Sequence, residues 1–208
     1  MWDFSVGSIM EKRVLIDEQT LQTRIRQLGK QITEDYKGEK VTLLCILKGS
    51  AIFFADLARR IKLDAELEFV RISSYAGTDS TGTITVRTRP DQPLTGKNVI
   101  VFEDIIDTGY TLSYYQKELL KEHPKSLRIC TLLDKPERRE VDDVFVDYVG
   151  FTIPNRFVIG YGLDLDQQYR NLPEVYCMIN EDEEQQVVED ANALKLQLIR
   201  KEDKKENA

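Results

Sequence analysis

Three stretches of the chain, VTLLCIL (41–47), NVIVF (98–102) and LRICTLL (127–133), are apolar along most of their length rather than at every second position. A strand's side chains alternate between two faces, so such runs are stable only where both faces of a sheet are covered. Helical segments lie between them. AIFFADLARRI follows the first run after a short Lys-Gly-Ser loop, and a second helix is expected from about Tyr110 to His123. Strands alternating with helices predict an α/β chain with a doubly wound, mainly parallel central sheet flanked by helices. ELEFVRISSY and TITVRT read as two further strands, and VFVDYVG, FVIGYG and VYCMI make the stretch after Asp134 strand-rich, as in a small lobe beside the sheet.

Near the start, Asp17 caps a helix with its apolar face on Leu21, Ile25, Leu28 and Ile32, and Gly38 supplies the stop. With 208 residues, 41% of them hydrophobic, the chain is long enough for one well-packed core. Residues 1–180 are expected to form one domain and 181–208 a charged C-terminal helical tail. In that tail Val188, Ala191, Leu194 and Leu198 make a narrow stripe, read as a solvated helix in preference to a partner-binding one.

Composition also excludes several chemistries. Cys45, Cys130 and Cys177 are far apart and each lies in an apolar run, so neither metal spacing nor a disulfide framework is present. His123 is the only histidine, in KEHPK, which leaves Ser-His, Cys-His and zinc chemistry without a partner. A net charge of -7 argues against nucleic acid as a partner. MWDFSVGSIMEKR lacks a basic-then-apolar leader pattern and no apolar run spans a bilayer, so no membrane contact and a cytoplasmic location are expected. Catalysis must then rest on carboxylates, lysines, backbone amides and an oxygen-liganded metal.

VFEDIIDTGYT (101–111) places such groups at the end of a buried strand. Ligands of an open parallel sheet bind beyond the carboxyl ends of its strands, so Glu103 and Asp104 emerge into a crevice there. Asp107, Thr108, Gly109, Tyr110 and Thr111 form the following turn into a helix, whose free amides and dipole attract an anion. Two acids beside a phosphate repel it unless they bind sugar hydroxyls or a hard cation such as Mg²⁺. A phosphorylated ribose with Mg²⁺ meets all of these demands, and the rival phosphate loop G-x-x-x-x-G-K-[ST] is absent.

These eleven residues resemble the phosphoribosyl-pyrophosphate motif of the type I phosphoribosyltransferases, and the other segments narrow the resemblance to the 6-oxopurine (hypoxanthine-guanine) members. It covers roughly residues 10 to 179. It implies that Glu103 and Asp104 meet the ribose hydroxyls and Mg²⁺, and that Leu47, Lys48 and Gly49 contact pyrophosphate, with Ser50 standing where many members carry a second Gly. SSYAGTDSTGTITV resembles the loop that closes over the site, with its Ser-Tyr pair at Ser74 and Tyr75. By the same resemblance Lys135 donates to the purine 6-oxo group, Phe157 stacks on the ring, and Val158 reads the base edge with its backbone. Asp164 is implied near a Mg²⁺ that holds pyrophosphate, Arg170 on the pyrophosphate itself, and Asp107 as acceptor of the purine's ring proton.

The expectation is an enzyme of purine salvage that makes IMP or GMP from phosphoribosyl pyrophosphate and a purine base, with Mg²⁺ as cofactor. Analogy with the fold adds a homodimer or homotetramer. A non-catalytic regulator that senses phosphoribosyl pyrophosphate is the alternative of a different class, and a xanthine-specific enzyme the nearer one.

Overall fold

In the computed structural model, residues 11–75 and 83–206 are described. The elements run β1 (Glu11–Ile16), α1 (Glu18–Asp35), β2 (Val41–Leu47), α2 (Ala51–Ala58), β3 (Ala65–Tyr75), β4 (Thr83–Thr88) and β5 (Asn98–Ile106). They continue with α3 (Tyr110–Leu120), β6 (Ser126–Asp134), β7 (Tyr148–Thr152), β8 (Val158–Ile159), β9 (Val175–Ile179) and α4 (Glu184–Glu206). Six strands form one sheet in the order β4-β3-β2-β5-β6-β7, parallel except for β4, which is antiparallel to β3.

Apolar runs at successive positions find two covers, as their pattern requires. Leu43 and Cys45 of β2, Ile100 and Phe102 of β5, and Cys130 and Leu132 of β6 face a core shared with α1 and α2. Their neighbours Leu44, Ile46, Val99, Val101 and Ile129 face a second core closed by Leu112, Tyr115 and Leu119 of α3. The sheet is doubly wound. From β2 the chain crosses by α2 to β3 on one side, and from β5 by α3 to β6 on the other, so β2 and β5 are adjacent strands whose connections diverge. The crevice at their carboxyl ends is the switch point at which such sheets bind ligands.

Asp17 caps α1 through Thr20 N at 2.8 Å, and Leu21, Ile25, Leu28 and Ile32 are fully buried as their spacing predicts. Several boundaries differ from the sequence reading. β5 does not stop at Phe102 but runs on to Ile106, so Glu103 and Asp104 are carried by the strand itself. α2 ends at Ala58 and α3 at Leu120, leaving His123 outside with φ +53°. β1 was not predicted: EKRVLI is three charged residues followed by three apolar ones, with no alternation, and its strand character comes from pairing with β9.

The small lobe is the antiparallel sheet β1-β9-β8, so it draws one strand from the start of the chain, while β7, expected in the lobe, is the edge of the main sheet. Ladder pairing, invisible in local sequence, decided both assignments.

The tail also departs from expectation. α4 is packed on β1, α1 and β7 instead of standing in solvent. The inward stripe is Val187, Leu194 and Leu198, all in the main core, whereas Val188 is 56% exposed. Burying such side chains contributes roughly 1.5–3 kcal/mol each, more than typical surface ion pairs at about 0–1 kcal/mol. Polar clamps fix the orientation: Arg156, largely buried, binds Glu183 at 2.9 Å and Asp190 at 3.1 Å, and Lys195 reaches Asp17 at 2.8 Å. Among the described residues no helix is long and apolar enough to cross a membrane.

Candidate active site

The site begins where β2 and β5 end side by side. After Leu47 the chain turns through Lys48 and Gly49 into α2, with a cis peptide bond between Leu47 and Lys48. Gly49 leaves the space that Asp104 occupies: a β-carbon on it would lie 1.6 Å from Asp104 Oδ2, so any larger residue displaces that carboxylate. Ser50 points away from the turn. Its side chain is fully buried, donating to the Ile46 carbonyl and lying 3.2 Å from Cys45 Sγ, so its hydroxyl belongs to the core.

Glu103 and Asp104 are adjacent, half-buried carboxylates on β5. Loss of water, together with the neighbouring Asp104 charge, raises the Glu103 pKa well above the usual carboxylate range, and burial raises that of Asp104. The pair has the chemistry of a site that gains from a hard cation or from hydroxyl donors.

A second group closes over Gly49. A β-carbon on Gly162, which has φ +103°, would lie 2.0 Å from the Gly49 carbonyl oxygen, so only glycine permits this approach. Arg170 Nη1 donates to the Gly162 carbonyl at 2.7 Å, and its Nη2 pairs with Asp164 at 2.7 Å. Its Nε is buried and has no hydrogen-bond partner among the described residues, and its charge acts to lower the Asp104 pKa. Asp164 also accepts from Gln167 N at 2.9 Å, and Gln167 Oε1 accepts from Lys48 Nζ at 2.9 Å. Left-handed backbone at Tyr161, Asp166, Gln167 and Tyr169 folds this segment into successive tight turns.

Among the described residues no three Asp, Glu, His or Cys side chains converge. Asp164 therefore does not complete one ligand cluster with Glu103 and Asp104. It stands apart, on the Arg170 guanidinium.

At the other end of the crevice, Gly109 caps α3 with φ +89°, and a concavity of about 130 Å³ is lined by Glu103, Asp107, Thr108, Gly109 and Thr111. The free amides at this helix start suit an anion. Tyr110 does not line the concavity: it is 53% exposed, and a hydrogen bond to Glu140 raises its pKa. Helix geometry turns that side chain outward while its neighbours Thr108, Gly109 and Thr111 line the hollow.

Lys135 follows the last residue of β6 and is buried, its pKa lowered by desolvation against the opposing pull of Asp107. Its Nζ lies 4.0 Å from Asp107 Oδ2, and Arg138 Nε donates to Asp107 Oδ1 at 2.9 Å. Arg139 pairs with Asp134, whose pKa burial still raises, and its Cδ would stand 2.9 Å from a β-carbon on Gly109. Sequence reading took Lys135 from KPERRE and passed over both arginines; the signal was their position on the same tight turn.

Phe157 is half-buried and Val158 buried at the edge of the small sheet. Met178 N donates to the Phe157 carbonyl at 3.0 Å, which makes Val158 and Cys177 a non-hydrogen-bonded pair and turns the Val158 amide and carbonyl away from β9. Ser74 and Tyr75 lie in β3, opposite Ile84 and Thr83 of β4, but their side chains fall outside the described residues; of the closing loop expected over 73–86, the two ends are strand and 76–82 lie outside the described residues.

Comparison with known proteins gives the family. A family model described as "Phosphoribosyl transferase domain" matches residues 15–166, most of the chain. The chain belongs to the phosphoribosyltransferase family. Among relatives of this phosphoribosyltransferase, a hypoxanthine phosphoribosyltransferase of Buchnera aphidicola is 49% identical over 77% of the chain and 92% of its own length. One of Salmonella typhimurium is 47% identical over 82% and 97%. A crystal structure of a hypoxanthine-guanine phosphoribosyltransferase from Bacillus anthracis superposes with a TM-score of 0.76 at 44% identity, covering 82% of the chain and 99% of that one.

Proposed function

We propose that this phosphoribosyltransferase moves the 5-phosphoribosyl group from phosphoribosyl pyrophosphate to hypoxanthine or guanine in purine salvage, releasing pyrophosphate and giving IMP or GMP. One observation carries the choice of base: a lysine donor and a carboxylate acceptor, Lys135 Nζ and Asp107 Oδ2, stand 4.0 Å apart beside the anion-binding turn. An ammonium has only donors, so it pairs with a 6-oxo group and opposes a 6-amino group.

In the reaction, a ring nitrogen of the purine gives its lone pair to C1 of the ribose, and the bond from C1 to pyrophosphate breaks with its electron pair on the departing oxygen. The ring would then be cationic, so the proton on its other imidazole nitrogen must leave. Asp107 takes it, on the side of the purine next to the 6-oxo group that Lys135 holds. Thr108, Gly109 and Thr111 with the amide of Tyr110 anchor the 5-phosphate; Leu47, Lys48, Gly49 and Arg170 hold the pyrophosphate. Phe157 orients the ring and the outward backbone of Val158 reads its edge, while Ser74 and Tyr75 belong to the segment that excludes water.

The raised proton affinity of Glu103 and Asp104 supports a divalent-cation site there, and the oxygen ligands suit Mg²⁺. Glu103 and Asp104 would hold one ion with the ribose hydroxyls and Asp164 another near pyrophosphate, each completed by substrate oxygens and water. When bound, Mg²⁺ neutralises charge on the leaving group. A homodimer or homotetramer in the cytoplasm belongs to the same reading, supported by Leu67 and Phe69, which stand 51% and 46% exposed on one face of β3.

The test is an absorbance assay with phosphoribosyl pyrophosphate and Mg²⁺, offering hypoxanthine, guanine, xanthine and adenine in parallel. Turnover of hypoxanthine or guanine without adenine is expected. Silence on every base, with phosphoribosyl pyrophosphate still bound, would overturn the proposal in favour of a sensor.

A further inference from the structure

Asp107 is held from both flanks by one short segment of chain. Lys135 N donates to the Ile106 carbonyl at 3.0 Å and Glu140 N to the Thr108 carbonyl at 3.0 Å, so residues 135–140 are bonded to the backbone immediately before and after Asp107. Within that segment Pro136–Arg138 is a single 3-10 turn, closed by Arg138 N donating to the Lys135 carbonyl at 3.0 Å. Lys135 precedes this turn with non-helical backbone, and Arg138 is its last residue. Both reach the same carboxylate and meet different oxygens of it: Arg138 Nε holds Oδ1 at 2.9 Å, and Lys135 Nζ faces Oδ2 from 4.0 Å, too far for a hydrogen bond.

We infer that Arg138 is a positioning residue that occupies Asp107 Oδ1 and thereby leaves Oδ2, beside Lys135, as the oxygen that receives the purine's proton. This rests on the function proposed above. A carboxylate free to rotate would present either oxygen, at variable distance, to the imidazole nitrogen that neighbours the 6-oxo group. With Oδ1 tied to Arg138, Oδ2 and Lys135 Nζ are fixed as an adjacent acceptor and donor for adjacent atoms of the purine edge. The proton leaves the ring nitrogen, the nitrogen keeps the electron pair, and Oδ2 becomes a carboxylic acid oxygen still braced by Arg138 through Oδ1. Arg138 itself touches neither substrate nor reacting atom. Its half-exposed side chain makes it a surface residue by burial, and only its partner reveals the role.

The test is steady-state kinetics on the full chain with Arg138→Met, Arg138→Lys, Asp107→Asn and the double variant Arg138→Met/Asp107→Asn. Misplacing a proton acceptor predicts that Arg138→Met lowers kcat roughly 10- to 100-fold, with KM for phosphoribosyl pyrophosphate unchanged within about twofold. Arg138→Lys, which can still donate to Oδ1, restores most of kcat. In the Asp107→Asn background Arg138→Met adds little, because its effect runs through the carboxylate. Losses that multiply in the double variant, or an Arg138→Met enzyme with wild-type kcat, overturn the assignment while leaving the function intact. A wild-type protein that turns over no purine instead overturns the function, and this role falls with it.

Discussion

Gly49→Ala isolates the most crowded contact of the site. A β-carbon there would stand 1.6 Å from Asp104 Oδ2 and 2.5 Å from its Cγ. To reach an ordinary contact of 3.4 Å the carboxylate oxygen must retreat by about 1.8 Å, a move a side chain can make without unfolding β5. Replacing Gly by Ala at a permitted backbone angle gains about 0.4–1 kcal/mol by restricting the unfolded chain, which offsets the local strain. The fold should survive and the substrate site should not. Misplacement of a positioned group by about 1 Å costs on the order of 100-fold, or about 2.7 kcal/mol in transition-state stabilisation. The expected result is a kcat/KM for phosphoribosyl pyrophosphate reduced about 100-fold or more, with Tm within a few degrees of wild type. A variant with kcat/KM within about threefold of wild type would refute the reasoning, since Asp104 would then neither pack on Gly49 nor bind substrate as drawn. Loss of both activity and Tm would place Gly49 in the fold instead of the site.

Two further outcomes follow from other parts of the molecule. Lys135→Ala should bring the kcat/KM values for 6-oxo and 6-amino purines closer together by roughly 10-fold or more, because a buried donor aimed at a carbonyl discriminates strongly against its absence; unchanged discrimination in the four-base assay would remove the lysine from base recognition. At Asp17 desolvation acts upward, but hydrogen bonds from Lys195 and Thr20 outweigh it and bring the pKa from 3.8 down to about 2. A depressed folded pKa stabilises fully above the unfolded value and is lost as pH falls through the folded one. Asp17→Ala should therefore cost about 1 kcal/mol in urea unfolding at pH 7, a difference that narrows as pH drops from about 4 towards 2. A difference independent of pH would mean that neither the cap nor the Lys195 pair depends on the charge.

Where the sequence pattern was self-sufficient, it located structure well. Continuous apolar runs require two covered faces, and β2, β5 and β6 have them; β2 spans the residues of VTLLCIL and β9 those of VYCMI. VFEDIIDTGYT showed the acids and the anion-binding turn because strand end, glycine and helix start are local features. The tail was misread in two ways. Val187, Ala191, Leu194 and Leu198 keep the i, i+4, i+7, i+11 spacing of one helix face and Val188 leaves it, and the docking surface offered by β1, α1 and β7, which no local pattern shows, covers that face.

The partnerships within the site were decided by tertiary structure alone. Nothing in the spacing of Gly49, Asp104 and Gly162 says that they stack, and nothing in KPERRE says that its first arginine binds Asp107 while the second takes Asp134. Apart from Arg139 and Asp134, five positions apart, these contacts join residues tens of positions apart, brought together by the adjacency of β2, β5 and β6, and backbone pairing between strands carries no local signal. The amino-acid order by itself determined the chemistry available, carboxylates, a lysine and a glycine turn at the ends of buried strands. Sheet order and close packing determined which of those groups face one another, because distances between them are set by the 3-D path of the chain and not by their separation along it.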